Sequence, residues 1–258
     1  MNTYFKSLLS EWQKTRKSAA SWLVLIGGLF IPLVMIFVQT FYPEEFSPKV
    51  LGENYWGSLF KHSWESMAIL LLPVGVILAT SLITQLEYRN NTWKQVFCTP
   101  QRITTLFITK LTVVLVMMLE FFLLNFIGLF IAAYLPGLLS SGGMPPPPPM
   151  KTLIYYNILF FICSLPLLAF QFLIAMRFRN FLVSIGVGFG MVVASLFAFS
   201  WKYGYQFPFA QIGMIYSKLA GQNRVPEGVE VYQLSLIWFF AITVVHYILY
   251  IAQKERGT

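Results

Sequence analysis

Six apolar runs, each long enough to cross about 30 Å of hydrocarbon, divide the chain, with polar stretches between them. They predict spans near 20–41, 66–86, 105–134, 152–175, 181–200 and 233–252. The third run is longer than a crossing needs, so it projects from the bilayer or tilts. Ahead of the first run, Tyr4, Phe5, Leu8, Leu9 and Trp12 recur at helical spacing, while Lys6, Lys14, Arg16 and Lys17 supply charge. This predicts an amphipathic helix over 1–19 lying in the membrane interface, its apolar side toward the acyl chains and its lysines near anionic headgroups. A signal peptide would carry a shorter apolar core and a small-residue cleavage pattern. Here Ser21–Phe41 alone is 21 uncharged residues, and no such pattern follows. Residues 201–232, with Tyr203, Tyr205, Phe207, Phe209, Ile212, Met214 and Ile215, are too apolar for a solvated linker. Irregular backbone at membrane depth has to be covered by protein, so this stretch predicts a partly re-entrant helical segment capping the bundle. The expected fold is an all-α polytopic membrane protein, one transmembrane domain over 1–258.

The stretch 87–104, between the second and third runs, has a pattern of its own. Asn91 or Thr92 can cap a helix start, because either side chain can accept from an orphan backbone N–H. Trp93, Val96 and Phe97 then fall on one face at i, i+3 and i+4, with Lys94 and Gln95 pointing elsewhere. Pro100 ends the helix, having no N–H to donate and pushing its predecessor out of the α region. The expectation is a helix of about two turns hung below the membrane. A solvated loop has no use for a tryptophan there, whereas a docking surface does.

Charge sets the orientation. Twelve of the 18 basic residues fall at the N-terminus, in 87–110 (Arg89, Lys94, Arg102 and Lys110), at Arg177 and Arg179, and at the C-terminal tail. The other six face six glutamates in the alternate loops. By the positive-inside rule both termini and the 87–104 region are cytoplasmic, and the chain sits multi-pass in the inner (plasma) membrane. The net charge of +8 is therefore a topology signal and not a nucleic-acid patch. The composition, 57% hydrophobic and 11% charged, lies outside the range of a soluble domain. All ten acids are glutamates, which excludes paired-aspartate metal chemistry. Cys98 and Cys163 fall in the inter-span helix and inside a span, a placement that does not suit a disulfide.

Candidate chemistry is sparse. His62 and His246 are the only histidines, no His-Glu-x-x-His or Gly-x-Ser-x-Gly occurs, and no metal site is expected. His246 shares a helical face with Ser235, Thr243, Tyr250 and Gln253; it is either a neutral histidine hydrogen-bonded in the bundle or part of a proton relay. Glu120 is the only acid inside a span, close to the bilayer midplane. An intramembrane acid is a functional candidate by default, here facing the bundle and recognising a cationic group on a cargo, or else bonded for packing. Gly186, Gly190, Ala194 and Ala198 form a small-xxx-small stripe for close helix approach, expected to pack within one subunit. Pro145–Pro149 make a short polyproline II rod, read as a stiff spacer. No Gly-x-x-x-x-Gly-Lys-Ser/Thr appears, so the chain has no such loop to cradle ATP phosphates.

Three elements together carry a resemblance. They are Ser10-Glu11-Trp12-Gln13-Lys14 before the first span; Glu87-Tyr88-Arg89-Asn90-Asn91-Thr92-Trp93-Lys94-Gln95-Val96 with Pro100 after the second; and Arg177-Phe178-Arg179-Asn180 with Phe181–Gly188 entering the fifth. The chain resembles the membrane subunits of ABC-2 type transporters over nearly its whole length, and within them the permeases of lantibiotic and bacitracin self-protection exporters. The resemblance implies that Trp12 and Lys14 of the interfacial helix contact a separate cytoplasmic ATPase. It implies the same of Glu87, Arg89, Asn91, Thr92, Trp93, Lys94, Val96 and Phe97 of a coupling helix, and of Arg177 and Arg179 in the tight link. ATP and Mg would be bound by that partner, with no cofactor in this chain, and a second permease copy or paralogue would complete the pump. The expected function is export of an amphipathic peptide, antibiotic or lipid, with no enzymatic activity in this chain. Two other classes stand against it. A secondary transporter predicts internal repeats and midplane charges, and halves 1–129 and 130–258 show no self-similarity. A membrane scaffold without an ATPase would need the aromatic docking helix only if it bound some other partner.

Overall fold

A computed structural model describes residues 3–89, 103–139, 143–178, 180–222 and 224–255. Helix α1 (Thr3–Thr15) precedes span 1, α2 (Ala19–Phe41). The chain then makes two single helical turns, each opened by a proline at its first position (Pro43 and Pro48). There the missing N–H costs nothing and φ is already set. Helix α3 (Tyr55–Ser66) follows and runs through a wider π-helical turn, Met67–Leu71, into α4 (Leu72–Arg89), which is span 2. Pro73, the second residue of α4, has no N–H for an ordinary helical bond, and such single wide turns absorb an interruption inside a continuing helix. Span 3 is α5 (Ile103–Leu139), span 4 is α6 (Met150–Arg177) and span 5 is α7 (Phe181–Phe199). A short helix, α8 (Gln211–Leu219), precedes span 6, α9 (Val231–Glu255). Among the described residues there is no strand, and six helices are long and apolar enough to cross a membrane. Six crossings return the chain to the face on which α1 lies, called here the α1 face.

Spans 2 and 4 form the centre, with 61% and 67% of their apolar stretches buried, against 28% for span 1 and 17% for each of spans 5 and 6. Span 1 packs along span 3, span 6 along span 4, and span 2 touches spans 1, 4 and 5. The span 1–span 3 seam needs a glycine. A Cβ on Gly128 would come to 2.6 Å from Cγ of Pro32, so only a bare backbone lets span 3 pass the ring. Farther from the α1 face the same seam is tied by Gln39, whose Nε2 donates to the Ala132 carbonyl at 3.1 Å and whose Oε1 accepts from the Tyr55 hydroxyl at 2.7 Å.

Several boundaries differ from the sequence expectation. Span 3 is 37 residues, or about 55 Å at 1.5 Å per residue, longer than the expected 105–134. The second run begins not at 66 but as a continuous helix from Tyr55, because α3 buries Tyr55, Trp56, Leu59, Phe60 and Trp64 while Lys61, His62 and Glu65 stay outside. Its anchor is Trp64, fully buried and stacked on Phe160 of span 4 with ring centroids 3.7 Å apart and planes at 4°. The proline run is also seated, not a free spacer: the Trp56 Nε1–H donates to the Pro146 carbonyl at 2.6 Å. Helix α8 does cap the bundle, burying Gln211, Ile212, Met214 and Ile215 against α3, the Met67–Leu71 turn and spans 4 and 6.

The glycine stripe of span 5 is a further correction. A Cβ on Gly186 or Gly190 would meet nothing within 4 Å, and Gly186, Gly190 and Ala194 are exposed on this chain. The glycine that packs within the subunit is Gly188, where a Cβ would fall 2.5 Å from Gln171 Oε1 and 2.9 Å from Ile77. Two residues along a helix is a turn of about 200°, so the stripe and Gly188 lie on opposite sides.

Candidate functional site

The candidate docking face is built where α1 meets the end of span 3. Helix α1 has one acid, Glu11, and the fold buries it. Its Oε2 accepts from Lys110 Nζ of span 3 at 3.0 Å, and its Oε1 from Lys14 Nζ, three residues on, at 2.6 Å. Glu11 and Lys110 are 7% and 5% exposed. Burial raises the Glu11 pKa, but Lys110 first and Lys14 after it lower it by more, so the carboxyl sits below the ordinary carboxylate range. Around this centre Tyr4 hydrogen-bonds Thr112 across the two helices at 3.1 Å, and the Ser18 hydroxyl closes the end of α1 on the Thr15 carbonyl at 2.7 Å. Helix α1 is therefore pinned edgewise to a span rather than only resting among headgroups. Trp12 is half-buried against the core, and Lys14, Arg16 and Lys17 remain exposed beside it.

Four helix ends open on the same face. Glu87 and Arg89 lie in the last turn of span 2, their side chains outside the described set. Asn91, Thr92, Trp93, Lys94, Val96 and Phe97 lie outside the described residues, as does Arg179. Arg177 ends span 4 and is exposed. Span 5 restarts three residues beyond span 4's last turn, with the Asn180 side chain capping it by accepting from the Leu182 N–H at 3.0 Å. Sequence reasoning did not single out the Glu11–Lys110 pair. The signal was present: a lysine at the sixth position of an apolar run, and one acid in an otherwise basic helix.

The two membrane candidates part company. His246 is 4% exposed and stands edge-on to Phe107 and Phe172, each ring centroid 4.9 Å away, between spans 3, 4 and 6. Its described contacts are aromatic packing. Ser235, on the same face, is committed to Gln211 Oε1 at 2.8 Å. Glu120 is only half-buried, next to the exposed Leu119, and sits at the bundle margin rather than facing inward. On the same helix Met117, Met118 and Phe121 line a narrow, open apolar cleft between spans 1, 2 and 3, with Leu168 of span 4 at its side. Leu23, Val24, Leu72 and Val76 complete its walls, and the one polar residue among them, Thr80, turns its hydroxyl to the Val76 carbonyl at 2.6 Å. Among the described residues no group of histidines, cysteines or acids could hold a metal ion.

Against known families, residues 7–195 match the profile described as ABC-2 family transporter protein. The match starts inside α1 and runs through most of span 5, well over half of the chain. This chain belongs to the ABC-2 transporter family. It is a multi-pass membrane protein, of the kind that forms the membrane-spanning part of an ABC transporter, and the family implies association with ABC ATPase subunits and with the bilayer. No individual curated protein and no solved structure matches.

Proposed function

We propose that this ABC-2 chain is the permease of an ATP-driven exporter in the plasma membrane, both termini cytoplasmic. It would move an amphipathic peptide, lipid-like antibiotic or lipid outward, in the manner of a bacteriocin or antibiotic self-protection pump. ATP and Mg belong to a separate ATPase, and a second copy or a paralogue of this chain completes the transporter. The observation that carries the reading is the α1 face: an amphipathic helix locked by a buried ion pair to span 3. A helix needs such fixing if it is to receive a push and pass it on. The apolar cleft suits an acyl chain or apolar peptide side chains better than a sugar or an ion. Glu120, flanking the cleft-lining Phe121, is the acid we assign to a cationic group of the cargo; His246 is dropped from the pathway.

The deciding experiment is co-expression with an ABC ATPase subunit, sought first in the adjacent reading frames. Trp93→Ala should fold with an unchanged melting temperature and lose the ATPase on affinity purification, because a buried aromatic anchor commonly contributes about 2 kcal/mol or more to a contact. Stoichiometric co-purification with undiminished transport would remove the docking role of the 87–104 region.

A further inference from the structure

Spans 2, 4 and 5 meet at a polar knot outside the docking face. Gln171 of span 4 is fully buried. The two N–H groups of its Nε2 are shared among three acceptors, Ser81 Oγ of span 2 and the hydroxyl and carbonyl oxygens of Ser184 in span 5, each at 3.1 Å. The two serine hydroxyls are 2.9 Å apart, and both residues are buried. The other side of the amide is unfilled: Gln171 Oε1 is buried with no hydrogen-bond partner and lies against Gly188, whose missing side chain makes the room. Hydrogen bonds between membrane helices add only modestly to stability. They are directional, however, so the bonds made on the Nε2 side favour one register between the helices they join.

The knot's position gives it a use. Ser81 is about two turns from the end of span 2, Gln171 less than two turns from the end of span 4, and Ser184 in the first turn of span 5. Those ends run into residues 90–102 and the 178–180 link. Span 5 packs on spans 2 and 4 and leaves its Gly186–Gly190 side open, with only 17% of its apolar stretch buried. Its far end is tied separately, by residues 204–206 and by Arg224, which donates to the Phe199 carbonyl at 3.1 Å. Spans 2 and 4 are therefore the helices through which a displacement begun at the α1 face reaches the first turns of span 5. We propose that the Gln171–Ser81–Ser184 knot is the transmission joint of the pump, with Gln171 as a positioning residue that makes span 5 travel with span 2 when residues 90–102 are pushed. The inference rests on the pump reading above.

The test uses the permease–ATPase complex with Cys98 replaced and the buried Cys163 left in place. Spin labels at Leu70, in the wide turn that continues into span 2, and at Ile131 report span 2 against span 3, and labels at Ile108 and Leu182 report span 5 against span 3; all four positions are exposed. Distances are compared without nucleotide and with Mg·ATP plus orthovanadate. In the wild-type complex both pairs should shift, on the order of 1–2 Å or more as packed helices do in switching. In Gln171→Leu the Leu70–Ile131 shift should persist and the Ile108–Leu182 shift should disappear. Ser81→Ala, which removes one hydroxyl of the knot, carries the same comparison if Gln171→Leu gives no folded complex. Survival of the span 5 shift at wild-type size, or loss of both shifts together, overturns the joint. No shift of either pair in the wild-type complex would instead overturn the pump reading itself.

Discussion

Replacing Glu11 by methionine probes the anchor of the α1 face directly. Glu11 and Lys110 are each less than a tenth exposed and 3.0 Å apart. Removing one member of a buried pair costs up to about 3–5 kcal/mol, and Glu11→Met takes from the buried Lys110 ammonium the carboxylate that stands 3.0 Å from it. Lys14 contributes little to that figure: its side chain is 43% exposed and can return to water, and pairs of that kind contribute about 0–1 kcal/mol. The expected order is therefore asymmetric. Glu11→Met is the worst variant and Lys110→Met is milder, because Glu11 keeps Lys14 at 2.6 Å. The double variant recovers most of the Glu11→Met loss, since two apolar side chains can replace a buried pair at little cost. At about 2–4 °C per kcal/mol for a chain of this size, Glu11→Met should melt on the order of 10 °C below wild type. The assay is thermal unfolding in detergent followed by a thiol-reactive fluorophore, with Cys98 replaced so that the buried Cys163 reports the transition. The pH dependence has a definite sign. A carboxyl held below its ordinary value stabilises the fold above about pH 4.3 and stops doing so as pH falls through the lowered native value. The gap between wild type and Glu11→Met should then be constant from pH 6 to 8 and close in acid. Equal melting of Glu11→Met and the double variant, or a gap that widens in acid, would refute the reasoning.

Two further outcomes follow from packing. Gly188→Ala forces a Cβ to 2.5 Å from Gln171 Oε1 and should cost about 1–3 kcal/mol as overpacking. Gly190→Ala, facing open space, should be neutral or gain up to about 1 kcal/mol of helix propensity in the solubilised monomer; the two melting curves decide. Trp64→Ala should lose about 3–5 kcal/mol, whereas Trp64→Phe keeps the stack on Phe160 and loses no hydrogen bond, because the indole N–H has no partner. Equal losses for the alanine and phenylalanine variants would show that the stack is not what holds α3.

The spans were legible because lipid imposes a length and a composition that few other structures need. Span 5, read at 181–200 and found at Phe181–Phe199, shows how little tertiary context that judgement requires. Where context does matter, local pattern misled. Tyr55–Ser66 contains Lys61, His62 and Glu65, which lower its hydropathy to that of a loop, yet Tyr55, Trp56, Leu59, Phe60, Ser63 and Trp64 keep one unbroken buried stripe. A helical-period test over that stretch would have found α3. The seat of the proline run on Trp56 joins positions 90 residues apart and has no local signal at all.

Small residues and charges show the same division more sharply. Periodicity identified a glycine face on span 5, but a face has no direction until its neighbours are placed, and the fold turned Gly188 inward and left Gly186 and Gly190 outside. Lys110 was counted only as one more charge of the expected positive face, yet its role depends on Glu11, 99 residues earlier. A lysine can be buried there because a carboxylate is held within 3.0 Å of it, whereas Glu120, with no basic residue in reach along its own helix, stays at the bundle margin. Desolvation makes both placements intelligible: the charge that finds an opposite charge goes inside, and the one that does not remains at the boundary. The sequence lists the charges; which of them can be buried is decided only by what the fold brings beside them.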